Sequence, residues 1–265
     1  MELALIPPIS LLQDTMRTNM QLVLPQLLEI RPDFPLDIYS LTYKAHCTNP
    51  KQYVIMDNGA AEDQQLNNSL LLHIASLYKP DELAIPDVLA NGDKTLISTF
   101  DFFEAHQNDL DRINGERETK LKLGFVAQGK TIEEVIKTVV LMRLFKWADQ
   151  IDVIYIPRLL IKETIDPLAR IKVYEELYDL YEDCYEYHLF GASTIWPAEI
   201  STASQLPYKI RSMDTSLPYV MAHSKNVIDD LIHEEIARPK NYFNRPEGDF
   251  PGHSSYTEFF LNTIK

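Results

Sequence analysis

Short apolar runs alternate with longer amphipathic stretches along most of the chain, which is the pattern of repeated βα units. A first strand is expected at residues 3–6, followed, with Ser10 as N-cap, by a helical stretch ending near 28–29. Residues 30–50 hold Pro32 and Pro35 and read as a loop with a short extended piece at 38–41. Strands are expected at 53–56 and 83–85. Residues 63–78 carry Leu66, Leu70, Ile74 and Leu77 at helical spacing, and a further helix runs from about 93 into the region of Asp109 and Asp111.

The second half repeats the unit with strands at 123–127, 153–156, 187–190 and immediately before Asp214. Thr131 and Glu134 stand at capping-box spacing ahead of one helix, and Tyr174, Leu177 and Leu180 mark another. Seven units are read in this way, with an eighth strand sought within 220–232 and a short closing helix at 256–264. The fold class expected is α/β: a (β/α)8 TIM-type barrel formed by residues 1–265 as one domain, with an irregular or incomplete eighth unit.

Composition narrows the picture. With 45% hydrophobic residues and only 8 glycines among 265 residues, the chain can bury a large core, which argues against global disorder. The apolar start at residues 3–6 stops at Pro7-Pro8 and resembles no signal peptide, and no apolar run is long enough to span a bilayer. A soluble cytoplasmic protein without membrane contact is therefore expected. Cys47 and Cys184 are far apart and lack ligand spacing, so both read as ordinary thiols and no zinc is expected.

The net charge of -14 opposes broad binding to a phosphate backbone, so any nucleic-acid contact must be local. Arg158, Lys209 and Arg211 are the cations expected near a site. Solvated helix faces account for most of the other basic clusters. His46, His73, His188 and His223 read as core or surface histidines; His188 lies inside a strand run and is expected to be packed or hydrogen-bonded there.

Candidate chemistry lies where the apolar runs end, at Asp57, Asp87, Gln128, Arg158, Gly191 and Asp214. An isolated Asp in a solvated turn is the plainer reading of any one of them. In a (β/α) barrel, however, strand ends converge on one face, where reactive groups come from several strands. Three carboxylates gathered there would raise at least one pKa through repulsion and burial, so that one can manage a proton while another attacks. Displacement at an anomeric carbon uses such a pair.

The order Asp57-Asn58-Gly59, Asp87, Gly124-Phe125-Val126-Ala127-Gln128-Gly129, His188-Leu189-Phe190-Gly191 and Asp214-Thr215-Ser216-Leu217-Pro218 resembles the tRNA-guanine transglycosylases. That resemblance implies a barrel in which Asp214 is the nucleophile that attacks C1′ and Asp57 the general acid/base. Asp87 would read the N–H edge of a guanine-like base, Gln128 in its Gln128-Gly129 segment would bond the carbonyl side, and Phe190, beside Gly191, would stack on the base. Backbone and side-chain groups at Ile156, Pro157 and Arg158 would line the pocket near position seven of a deazapurine. No cofactor is implied.

The sequence departs from the family at three places. Ala61 stands where the family has a second aromatic, so the other stacking face would have to come from Tyr155 or Tyr219. The family's zinc-binding cysteines are absent, and no Arg follows Leu217-Pro218. A short zinc-free chain is more similar to the relatives, found in bacteria and phages, that exchange guanine in DNA for a 7-deazaguanine such as 7-cyano-7-deazaguanine. The expected partners are thus DNA and a 7-deazaguanine base, inside a bacterial cell or phage-infected host. The open alternatives are the same chemistry on tRNA, a hydrolase that releases the base, and a non-catalytic barrel subunit that binds nucleic acid or a partner.

Overall fold

The computed structural model describes residues 1–28, 37–62, 66–192, 196–203, 205–206, 210–224 and 238–264. Eight parallel strands, β1 (Glu2–Leu5), β2 (Met20–Val23), β3 (Tyr53–Met56), β4 (Glu82–Ala84), β5 (Lys122–Val126), β6 (Ile151–Pro157), β7 (Glu186–Phe190) and β8 (Ser212–Thr215), pair in chain order and close into a barrel. Closure is made by β8 against β1, with Ala4 opposite Asp214. The fold is the (β/α)8 TIM-type barrel that the alternating pattern predicts.

A 3-10 helix, Ile9–Arg17, follows β1, and α-helices follow the other strands: α1 (Ile38–Thr48), α2 (Asn68–Tyr78), α3 (Gly92–Gly115), α4 (Ile132–Met142), α5 (Leu159–Thr164) with α6 (Ala169–Tyr181), α7 (Trp196–Ala203) and α8 (Leu217–Ser224), before a closing α9 (His253–Thr263). Their starts are chemically marked. The side chains of Asp37, Asn67, Asn91 and Thr131 accept from the backbone N–H three residues on, so each satisfies an amide that the helix itself leaves unpaired. At α4 the Glu134 carboxylate also reaches back, accepting from the Lys130 N–H at 2.7 Å.

Three expectations about these elements are corrected. The missing strand is β2, not a segment within 220–232, and the described part of that segment belongs to α8. Residues 38–41 open a helix capped by Asp37 and are not extended. Ser10 caps nothing; it lies inside the 3-10 helix and donates to the Arg245 carbonyl at 2.8 Å, tying the C-terminal segment to the start of the chain. Within the stretch expected as helix from 63, α2 begins at Asn68, and residues 63–65 lie outside the described residues.

Strand alternation sorts the side chains into two apolar layers. Leu3, Leu5, Val54, Met56, Leu83, Phe125, Ile154, Ile156 and Leu189 point outward into the layer beneath the helices. Ala4, Ile6, Met20, Leu22, Ile55, Ala84, Val126, Val153 and Tyr155 fill the barrel interior. Gly124 belongs to the inner set because a Cβ there would stand 2.4 Å from the Tyr155 ring, so the large side chain of β6 crosses the space that β5 leaves open.

The N-terminal end of the barrel is closed by a charged plug. The buried Glu82 carboxylate accepts from Arg211 Nη1 at 2.6 Å and Nη2 at 2.9 Å, from the Tyr53 hydroxyl at 2.6 Å, and from the Tyr155 hydroxyl. Arg211 also donates to Glu186 at 2.6 Å, which in turn accepts from Lys122 at 2.5 Å. Among the described residues this end of the barrel is filled, and a cavity opens where the strands end.

Candidate active site

That open end holds a cavity of about 260 Å³, near the lower limit of the few hundred to about 1,000 Å³ of small-ligand sites. Asp57, Asp87, Gln128, Pro157, Arg158, Phe190, Gly191 and Asp214 all line it. Gly129 does not: it packs on the first turn of α4, where a Cβ would meet the Val135 nitrogen at 2.8 Å. Its place therefore allows the strand end that presents Gln128 to lie close to the helix, and gives it no direct part in the cavity.

Asp214 is the third residue of β8 and faces inward with Ser212, two positions earlier. One of its oxygens, Oδ1, accepts from the Gly191 N–H at 2.6 Å and lies 3.0 Å from His188 Nε2. Gly191 offers that N–H because it turns the chain at the end of β7 with φ of +76°, a conformation that a side chain would strain. Its carbonyl accepts from Arg170 Nη1 at 2.6 Å, and Arg170, itself fully buried, forms a two-pronged pair with Glu199 at 2.8 and 2.6 Å. The turn that holds Asp214 is thus anchored from behind.

Asp57 and Asp87 are linked through Asn58. The Asn58 N–H donates to Asp57 Oδ1 at 2.7 Å, and its side-chain amide donates to Asp87 Oδ1 at 2.7 Å. Gln128 Nε2 donates to the other Asp87 oxygen at 2.6 Å, while Gln128 Oε1 accepts from the Ala90 N–H at 2.9 Å. The Ala90 bond fixes which end of the Gln128 amide points at Asp87. Burial pushes the Asp87 carboxyl up from its ordinary range, against the pull of the Asn58 and Gln128 bonds. The raised carboxyl expected among the three is thus supplied here by burial.

Phe190, the last residue of β7, is half-buried, and its ring leans on Tyr155 with centroids 5.1 Å apart at 30°. Neither aromatic proposed for the opposite stacking face reaches the cavity. Tyr155 lies beneath Phe190 with its hydroxyl on Glu82, and Tyr219 is buried in a separate cluster with Leu11, Tyr242 and Phe250. The remaining apolar lining of the cavity is aliphatic, with Ile6, Leu22, Leu24, Ala61 and Leu89.

The cations are also redistributed. Arg211 precedes β8, so it sits at the sealed end in the Glu82 plug and not at the mouth. Lys209 lies outside the described residues. Arg158 does line the cavity, and with it come Lys162, one turn along α5, and Arg238, whose Nε donates to Ser216 Oγ at 3.0 Å and whose guanidinium lies over the Tyr242 and Phe243 rings. The spacing Arg158-x-x-x-Lys162 at the start of a helix was the available sign of the first pair. Arg238 carried none, because chain folding alone brings the C-terminal segment over the mouth.

His188 is fully buried and hydrogen-bonded within its strand layer, as its position in an apolar run implied; what the run could not show is that its partner is Asp214. The available signal was alternation, which puts His188 and Phe190 of β7 on the same inward face as Ser212 and Asp214 of the neighbouring β8, in the register His188 opposite Ser212. Burial pushes the Cys47 thiol up to about 12, and Cys184 is exposed. Among the described residues no three His, Cys, Asp or Glu side chains are grouped to hold a metal ion, and no helix is long and apolar enough to cross a membrane. No family model and no curated protein matches this chain.

Proposed function

We propose that the protein is a base-exchange glycosyltransferase that replaces guanine in DNA with a 7-deazaguanine, such as 7-cyano-7-deazaguanine, through a covalent Asp214–nucleoside intermediate, in a bacterial cell or a phage-infected host. The observation that carries the reading is the shared cavity: an inward-facing Asp214 with one oxygen held, a second carboxylate at Asp57, and a hydrogen-bonding pair, Asp87 and Gln128, beside the Phe190 ring. Asp214 attacks C1′, and Asp57 gives a proton to the departing guanine and takes one from the incoming base. Asp87, held in place by Asn58 and Gln128, accepts from the N–H edge of guanine. Gln128, with its carbonyl oxygen engaged by Ala90, has a second N–H to offer the base carbonyl.

A cavity this small takes one nucleotide out of its strand, because C1′ of a stacked and paired residue cannot approach a carboxylate inside a barrel. Extrusion costs roughly a few kcal/mol, which stacking on Phe190 and the bonds to Asp87 and Gln128 offset. Arg158, Lys162 and Arg238 are the cations placed to meet the flanking phosphates of an otherwise acidic protein. With so few contacts, binding is weak and its dependence on salt is correspondingly shallow.

The decisive experiment incubates the protein with DNA or tRNA carrying labelled guanine, plus a 7-deazaguanine. Exchange on DNA, faster at mismatched than at fully paired sites, is the expected result. Reaction on tRNA alone moves the substrate to tRNA, and label released without incorporation of the deazaguanine marks a hydrolase. No release from either polymer overturns the enzymatic reading.

A further inference from the structure

We propose that His188 is the positioning residue for Asp214: a hydrogen-bond chain from the sealed end of the barrel fixes its ring in the Nε2–H tautomer, so that it holds Asp214 Oδ1 and leaves Oδ2 as the attacking oxygen. This rests on the transglycosylase reading given above. The donors and acceptors along the chain leave one arrangement. Arg211 Nε lies 3.0 Å from Ser212 Oγ, and arginine has no acceptor, so the serine oxygen accepts there. At the other end the Asp214 carboxylate can only accept, so Nε2 carries the proton of a neutral ring and the serine hydroxyl donates to a bare Nδ1 at 2.7 Å. The Nε2 proton meets the carboxylate oxygen at 3.0 Å. Burial, which pushes the His188 pKa down against the pull of Asp214, favours the same neutral ring.

The start of the chain is rigid. Arg211 is clamped by Glu82 and Glu186, so Ser212 meets a guanidinium with little freedom to turn. At the other end Oδ1 has two donors, His188 and the Gly191 N–H, while Oδ2 has no hydrogen-bond partner among the described residues. His188 is fully buried and does not line the cavity, so it cannot touch the substrate. It acts through Asp214.

In the reaction Oδ2 forms the bond to C1′ as the bond from C1′ to the guanine nitrogen breaks. The electron pair leaves with the base, which takes a proton from Asp57. Oδ1 is then the carbonyl oxygen of the ester and still accepts from His188 and Gly191. In the second half the ring nitrogen of the deazaguanine takes C1′ and yields its proton to Asp57, and Oδ2 departs with the pair of the C1′–O bond. The two donors to Oδ1 hold one geometry through both halves.

The test joins a spectroscopic readout to kinetics. In protein labelled with ¹⁵N-histidine, the His188 ring, assigned by the signals missing from His188→Gln, is expected to show a bare Nδ1 and a protonated Nε2 at neutral pH. Ser212→Ala removes the donor to Nδ1 and is expected to mix the tautomers. His188→Leu should lower kcat by about 10²-fold with KM unchanged, since a misplaced nucleophile loses rate and not binding. His188→Gln, whose amide can donate to Asp214 and accept from Ser212, should restore most of the rate. A wild-type ring protonated on Nδ1, or on both nitrogens, overturns the proposal, as does a His188→Leu or Ser212→Ala enzyme with unchanged kcat. Absence of exchange by the wild type with every polymer sinks the transglycosylase reading together with this role, whereas a wrong tautomer in an exchanging enzyme sinks the role alone.

Discussion

At the N-terminal end of the strands Glu82 is fully buried and meets Arg211, Tyr53 and Tyr155; at the C-terminal end Asp87 is almost as deeply buried and meets the neutral amides of Asn58 and Gln128. Burial opposes the charge on both. At Glu82 the bonds and charge of Arg211, helped by the tyrosine hydroxyls, outweigh it and hold the carboxyl below its usual range. At Asp87 burial prevails over the amide bonds and the carboxyl rises. A carboxylate surrounded by a cation and two hydroxyls is spent on structure. One held by neutral amide donors beside a cavity keeps a higher affinity for a proton.

The largest expected effect falls at the open end. Asp214→Asn should reduce exchange to background, because an amide is a poor nucleophile, while its carbonyl oxygen can still accept from Gly191 and His188. Melting temperature close to that of the wild type, together with loss of exchange, is the signature of a residue used for chemistry. Full activity in this variant breaks the covalent mechanism.

At the sealed end the balance reverses. Arg211→Met strands the buried Glu82 charge and should cost about 3–5 kcal/mol in denaturant unfolding. A double variant, Glu82→Met with Arg211→Met, should recover much of that loss, because no charge is then left without a partner. If the single variant unfolds like the wild type, the plug does not hold the barrel. Between the two ends, Gly124→Ala should cost about 1–3 kcal/mol, since the new methyl must displace the Tyr155 ring and with it the hydroxyl bond to Glu82.

The same contrast explains what could be read from the chain. Strand ends at Asp57, Asp87, Gln128, Arg158, Gly191 and Asp214 were visible because a parallel barrel sends all of them to one face, so each local apolar run also located the residue at its end in space. Arg211 was misplaced by one simple fact: it precedes its strand, and the start of a strand lies at the opposite end. The four residues of β2 lacked a period of their own and followed an amphipathic 3-10 helix, so they merged with it. Removing one strand from the count sent the search for an eighth towards α8. The α1 helix followed a proline-rich segment that read as loop, although Asp37 and Ser40 stood at capping distance. The contact of His188 with Asp214 joins residues of different strands and depends on register, which no window of local sequence contains.

The smallest effect sharpens the comparison most, because the two ends should respond to acid with opposite sign. For Glu82 the folded carboxyl binds a proton less readily than the unfolded one, so its contribution is present above the unfolded pKa of about 4.3 and is lost as pH falls through the lowered folded value. For Asp87 the folded carboxyl binds its proton more readily, so stability declines as pH rises from about 3.9 through the raised folded value. Each group is removed in turn by Glu82→Gln and Asp87→Asn, and the unfolding free energy of each variant is compared with the wild type across the acid range. The deficit of Glu82→Gln should grow with rising pH and then level off. For Asp87→Asn a fixed offset is expected from its changed hydrogen bonds, since Asn58 and Gln128 then share one acceptor, and on top of that offset the variant should gain on the wild type as pH rises. Parallel slopes in the two variants would mean that Asp87 is held as a paired structural carboxylate, and that the open end does not keep a carboxyl ready to meet a ligand.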